Sequence, residues 1–205
     1  PPRSTLFPYT TLFRSFCSAA AWPLARRRER RFQALYFIFT ASIILPFQVV
    51  MFPLYSQFRA LGLLNTLPGL VLAIAGFQLG FDIFLFTGFV KTVPRELEEA
   101  AIIDGCGKFR TFALVVFPLL KPITLTVTVL SALAAWNDFS VSLILVQRDA
   151  VRTLPLTQYY FFGQYSVEIN MAFAAFTLGM IPIVLFYLLL QRWIEAGVTA
   201  GALKG

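Results

Sequence analysis

An all-α bundle of membrane-spanning helices is the fold this sequence predicts, and three observations carry that prediction. Hydrophobic residues make up 58% of the 205, charged residues only 13%, and mean hydropathy is +0.75, so one soluble core of this size could not hide the apolar surface. Apolar runs recur at lengths near the ~20 residues a helix needs to cross a bilayer. Basic residues fall in short clusters between those runs, so the net charge of +7 points to membrane orientation rather than to nucleic acid. Histidine is absent and Cys17 and Cys106 are the only cysteines, which argues against a metal site or a disulfide framework.

Thr5 to Ser15, TLFPYTTLFRS, resembles the translation of a common sequencing-adapter oligonucleotide, so residues 1–15 are set aside as a foreign leader. Phe16 to Arg31 then reads as the end of a membrane helix running into a basic loop, with Arg26, Arg27, Arg28, Arg30 and Arg31 holding that loop in the cytoplasm. Phe32 to Tyr55 is expected to be the first complete span, with Pro46 and Pro53 tolerated inside it. Ser56 to Thr66 makes an outside turn carrying Arg59, and Asn65-Thr66 can cap the next helix.

Leu67 to Val90 is the second span, and it places Gln78 and Asp82 on one face at i and i+4. A carboxylate in hydrocarbon costs about 2.5–3.5 kcal/mol, so Asp82 should face protein or water. It is either a polar contact on a substrate pathway or a hydrogen-bond or ion-pair partner inside the bundle. Leu119 to Trp136 is the third span, closed by Trp136-Asn137-Asp138, an aromatic plate beside two polar groups. That combination suits a sugar's apolar ring face and its hydroxyls, or equally an interfacial anchor followed by a helix-ending Asn. The VSLILV run is too short for another span, and Gln147 to Asn170 reads as an external segment rich in aromatics, including Tyr159, Tyr160, Phe161, Phe162 and Tyr165. Met171 to Trp193 is the last span, followed by a small-residue tail.

Between the second and third spans lies the most polar stretch, residues 91–118. Pro94 fits the first helical position, Glu96, Glu98 and Glu99 suit a helix's positive end, and Ala100 and Ala101 offer a small-residue face. Gly105 can close the helix in the left-handed conformation, with Lys108 and Arg110 beyond it. Glu99-Ala100-Ala101, then Gly105, then Val115-Val116-Phe117-Pro118 follow a known spacing. In these residues the chain resembles the permease subunits of bacterial binding-protein-dependent ABC importers, whose signature is Glu-Ala-Ala, three residues, Gly, nine residues and Ile-x-Leu-Pro. Val115 and Phe117 depart from that pattern but keep apolar bulk.

Trp136-Asn137-Asp138 and the Gly201-to-Gly205 ending, with Lys204, further resemble the carbohydrate branch, of the maltose-transporter kind. The resemblance implies a type I importer bundle in which residues 91–118 form a cytoplasmic coupling loop. Glu98, Glu99, Ala100, Ala101, Asp104, Gly105 and Pro118 would engage the ATPase, and the tail would face it. It implies a second permease subunit, an ATP-binding subunit dimer that holds the ATP and Mg, an extracytoplasmic solute-binding protein, a sugar substrate and an inner-membrane location, with no cofactor on this chain. Whole members of the branch have six spans, so the resemblance implies a permease lacking the first span and most of the second, with four complete crossings.

This chain is not expected to bind ATP itself: in Gly107-Lys108 the phosphate-loop pattern fails, because its first glycine falls on Ile102 and its hydroxyl position on Phe109. Amino-acid or peptide import, an ion-coupled secondary transporter and a membrane enzyme using Asp82 and Asp138 stay open as alternatives. The last has no His, paired base or metal constellation behind it.

Overall fold

The computed structural model describes residues 6–161 and 169–202, with side chains at 13–161, 169–189 and 191. Among the described residues the chain is helical, without strands. It divides into two compact units. One comprises the described residues of Pro1–Ile44, Phe77–Leu130 and Arg192–Gly205; the other comprises those of Leu45–Gly76 and Ser131–Gln191.

In the first unit, α1 (Leu6–Arg26) and α2 (Arg30–Ser42) pack on the C-terminal part of α4 (Leu67–Thr92), and the polar loop follows. Leu6 to Ser15, set aside on sequence grounds, lie within α1, and Arg14 donates to the Thr128 hydroxyl. Cys17, Ser18 and Ala21 are buried completely, and small side chains at such positions let two helices approach closely. Cys17 and Ala21 share a core with Ile83, Phe86, Val90, Val116, Leu120 and Val127. Gly80 lets α2 come close: a Cβ there would stand 2.5 Å from the Phe39 carbonyl oxygen, so no larger residue fits without parting the helices.

The predicted span Phe32 to Tyr55 is corrected: it is two helices, α2 and α3 (Phe47–Ala60), with a break at residues 43–46. Pro46 explains the break, because it has no N–H to donate to the Ser42 carbonyl and biases Leu45 away from helical geometry. The third span is corrected likewise. Its helix starts at Lys108, and Lys108–Leu119 meets α8 (Lys121–Trp136) at a bend of 71°. Lys108–Leu119 consists of α6 (Lys108–Thr111), a π-turn (Phe112–Val116) and α7 (Phe117–Leu119), so Pro118 lies inside a helix rather than ending a loop. Pro122, two residues past the bend, cannot continue the ladder back to Pro118. Two described helices, Leu67–Thr92 and Ile169–Leu189, are therefore long and apolar enough to cross a membrane unbroken, and the two bent pairs bring the number to four at most.

The second unit holds α3, the start of α4, α9 (Ser140–Leu145), a 3-10 turn (Asp149–Val151), α10 (Leu154–Tyr159) and α11 (Ile169–Ala202) up to Gln191. Its core is Phe58, Leu70, Ala73, Val141, Leu145, Val146 and Leu156. The turn expected at Ser56 to Thr66 shrinks to Leu61–Thr66, because α3 runs on to Ala60. Thr66 caps α4 by accepting from the Gly69 N–H at 3.1 Å. Asn65 has a different task. At φ 57° its side-chain oxygen accepts from the Gln147 and Arg148 amides at 2.5 and 3.0 Å, and its own N–H donates to the Leu145 carbonyl at 2.9 Å.

α11 buries only 11% of its apolar window within the chain, leaving side chains such as Phe173, Leu178 and Leu189 for a hydrocarbon surround. The helix continues through Gly201 to Ala202, where the sequence suggested a separate tail. Lys204 and Gly205, and likewise Phe162 and Tyr165, lie outside the described residues.

Candidate coupling site

The polar loop contains one regular helix, α5 (Arg95–Ile103). Pro94 is its N-cap, at φ −58° and ψ 134°, one residue earlier than the first helical position that was expected. At the other end Gly105 has φ +83°, a conformation that costs residues with a Cβ about 1–2 kcal/mol. The Cys106 N–H reaches the Ala101 carbonyl at 2.9 Å and the Gly105 N–H reaches Ile102 at 3.0 Å. These are the paired bonds of a Schellman cap, which fix where the helix stops and the direction in which the chain leaves.

Two side chains turn inward. Glu98 and Ala101 are 8% exposed each, so the inward face includes an ionised group. The Glu98 carboxylate pairs with Arg26 at 2.7 Å and accepts the Trp22 indole N–H at 2.9 Å, while Arg26 also donates to the Val93 carbonyl at 2.7 Å. The Trp22 ring lies 5.7 Å from Phe112 of the π-turn. The last turns of α1 thus hold the loop at three points: its entry at Val93, its helix at Glu98 and its exit at Phe112. Sequence reasoning gave Arg26 only an orienting role in the membrane and did not foresee this pairing. An i, i+4 pair of Trp22 and Arg26 at a helix end is the available signal, but the partner is 72 residues away.

Glu96, Glu99 and Ala100 are exposed, as are Leu97 and Ile102. Ile103 is 84% exposed and Phe109, just past the cap, is 89% exposed. Isoleucine and phenylalanine beside Asp104 and Lys108, all open to water, make an apolar contact face rimmed with charge. The small-residue face is divided, with Ala100 outward and Ala101 inward. Glu98 is an anchor within the chain, while Glu99, Asp104 and Gly105 lie at the surface.

Asp82 is 1% exposed and lies in α4 within electrostatic range of Arg14 and Cys17 of α1, so it faces protein. Gln78, one turn earlier, is half-buried. In the second unit, Trp136 and Asn137 border a cavity of about 220 Å³ together with Leu154, Gln158 and Phe176. Asn137 returns its amide N–H to the Leu133 carbonyl at 2.9 Å. Asp138 is occupied at the start of α9, where its carboxylate accepts from the Ser142 amide at 3.0 Å and from the Ser142 hydroxyl at 2.7 Å. The tripeptide splits between a cavity edge and a helix cap.

A profile of the family described as binding-protein-dependent transport system inner membrane component matches residues 17–200. The chain belongs to this family. The permease is similar to the probable starch degradation products transport system permease of Thermoanaerobacterium thermosulfurigenes, with 39% identity over 92% of this chain and 69% of the relative. It is similar to the melibiose/raffinose/stachyose import permease of Bacillus subtilis, at 37% identity over 93% and 69%. Among solved structures, a chain of a bacterial ABC transporter involved in the import of the acidic polysaccharide alginate aligns with a TM-score of 0.72 at 23% identity. That alignment covers 90% of this chain and 71% of the other, and it establishes the shared fold. The permease is an inner-membrane transport component, a role that calls for an ATPase and a solute-binding protein as partners, rather than an enzyme.

Proposed function

We propose that this permease imports sugars by alternating access, with α5 as the element through which a separate ATPase drives it. The observation that carries the coupling reading is the pairing of an exposed apolar rim, Leu97, Ile103 and Phe109, with a helix fixed rigidly from behind through Glu98. A surface meant to pass on movement must be accessible to its driver and unable to slip against its own chain. α5 meets both conditions. Two Mg-ATP-binding subunits, a second permease subunit and a solute-binding protein complete the assembly in this reading.

The relatives' printed substrates, starch degradation products and melibiose, raffinose and stachyose, support a sugar as the cargo. Trp136 and Asn137 at the cavity edge are the proposed contacts, since an aromatic face and an amide match a pyranose. Asp138 drops out, being committed to its cap. Gln78 and Asp82 are assigned to packing within the bundle. That assignment does not rest on Arg14, because residues 1–15 are treated as foreign. The loop is assigned to the cytoplasm. Its basic residues Lys91 and Arg95 border the same cavity as Arg27 and Arg28, as the positive-inside rule requires of one membrane face.

Cysteine substitutions at Leu97 and Ile103 test the central claim. Cross-linking in the assembled transporter should capture the ATPase, and Ile103→Asp should abolish binding-protein-dependent uptake while leaving insertion intact. Labelling of those cysteines only from outside the cell would refute the orientation and the coupling role together.

A further inference from the structure

A cavity in the first unit lies away from the exposed coupling face. It has a volume of about 380 Å³ and lies where α1, α2, the end of α4 and the start of α5 meet. Arg27, Arg28, Lys91 and Arg95 line it, and no carboxylate does. Glu29, adjacent in sequence, is drawn toward Arg31 at 2.5 Å and stands 3.7 Å from Arg27, a loose contact between exposed groups. Arg26, the neighbouring cation, is already neutralised by Glu98. Four positive charges converging on one concave, half-apolar space repel each other, and an anion entering that space would relieve the repulsion.

We infer that this cavity binds the phosphodiester headgroup of an anionic phospholipid. Three features favour a lipid over a soluble anion. The remaining lining is Leu24, Ala25, Gln33 and Tyr36, with the Tyr36 ring 5.2 Å from the Lys91 ammonium, so apolar wall stands between the charges. Lys91 stands in the last turn of α4, a helix long and apolar enough to cross a membrane, and the end of such a helix falls at headgroup depth. α2, which supplies Gln33 and Tyr36, also exposes Leu35, Phe37 and Ile38, an apolar surface along which acyl chains can lie. Orientation in the membrane requires only that cations be present on one side; a cavity built from three separate stretches of chain goes further.

The test is native mass spectrometry of the purified full chain in detergent, titrated with short-chain phosphatidylglycerol and, separately, with phosphatidylcholine. Phosphatidylglycerol should be retained more tightly. Arg27→Gln and Arg28→Gln should each weaken that retention about fivefold, the effect of one interfacial cation. Arg27→Lys should keep most of it, and Arg110→Gln, exposed on α6 outside the cavity, should leave it unchanged. Equal retention of the two lipids by the unmodified chain would overturn the inference whatever the variants do. So would displacement of phosphatidylglycerol by an equal concentration of inorganic phosphate, which would mark a soluble-anion site. Folding of each variant is checked by circular dichroism.

Discussion

Glu98→Ala separates the two roles an acidic helix could play, because Glu98 is the one carboxylate of α5 that faces inward. The side chains of Glu98 and Arg26 are 11% and 13% exposed, so this is a largely buried pair, and deleting one partner leaves the other charged and mostly desolvated. Such deletions cost about 3–5 kcal/mol, against less than about 0.5 kcal/mol for an exposed substitution such as Glu99→Ala. The orphaned Trp22 N–H falls within that range rather than adding to it, since Trp22 and Arg26 share the same carboxylate. The measurement is reversible unfolding of the chain in mixed micelles, with Glu98→Ala, Glu99→Ala and the charge-free pair Arg26→Met/Glu98→Leu compared side by side. The double variant should recover most of the loss, because an apolar pair of similar volume pays no desolvation cost. Glu98→Ala and Glu99→Ala variants of equal stability would refute the anchor, as would a double variant no more stable than Glu98→Ala.

Other consequences follow from the same geometry. Gly105→Pro forces φ from +83° to about −65° and removes the N–H that closes on Ile102, so it should leave the spans inserted yet abolish ATP-driven uptake; normal uptake would count against the coupling role. Gly105→Ala should give an intermediate loss, in keeping with about 1–2 kcal/mol of backbone strain. Asn65→Ala removes the acceptor for two amides and should speed hydrogen exchange at Gln147 and Arg148, with a stability loss of about 1–3 kcal/mol. Unchanged exchange there would show that the turn holds without its side chain.

The linear pattern was sufficient wherever the deciding interaction is local. Apolar runs announce the membrane helices because each residue in hydrocarbon meets the same solvent, and Leu67–Thr92 emerged with its expected start. Gly105 was legible because a left-handed cap is a property of one residue and its neighbours. Pro46 and Pro53 look alike in the sequence, both tolerable within one span, yet a proline at membrane depth can be absorbed in a helix, as Pro53 is in α3, or can break it, as at Pro46. What separates the two outcomes is whether surrounding packing supplies other partners, and that information is spread over the whole bundle.

The amino-acid sequence by itself determined an oily helical chain, the place of its one polar loop and the residues that start and stop the helix within it. Only the tertiary structure decided that Glu98 looks inward while Glu99 looks outward, and that Asp138 caps a helix while Trp136 and Asn137 edge a cavity. Only it brought Arg27, Arg28, Lys91 and Arg95 around one space. The physical reason is common to all three. Helical periodicity says which residues share a face, but which face is buried depends on partners tens of residues away, and a charge is an anchor, a cap or a binding group according to what the fold sets opposite it.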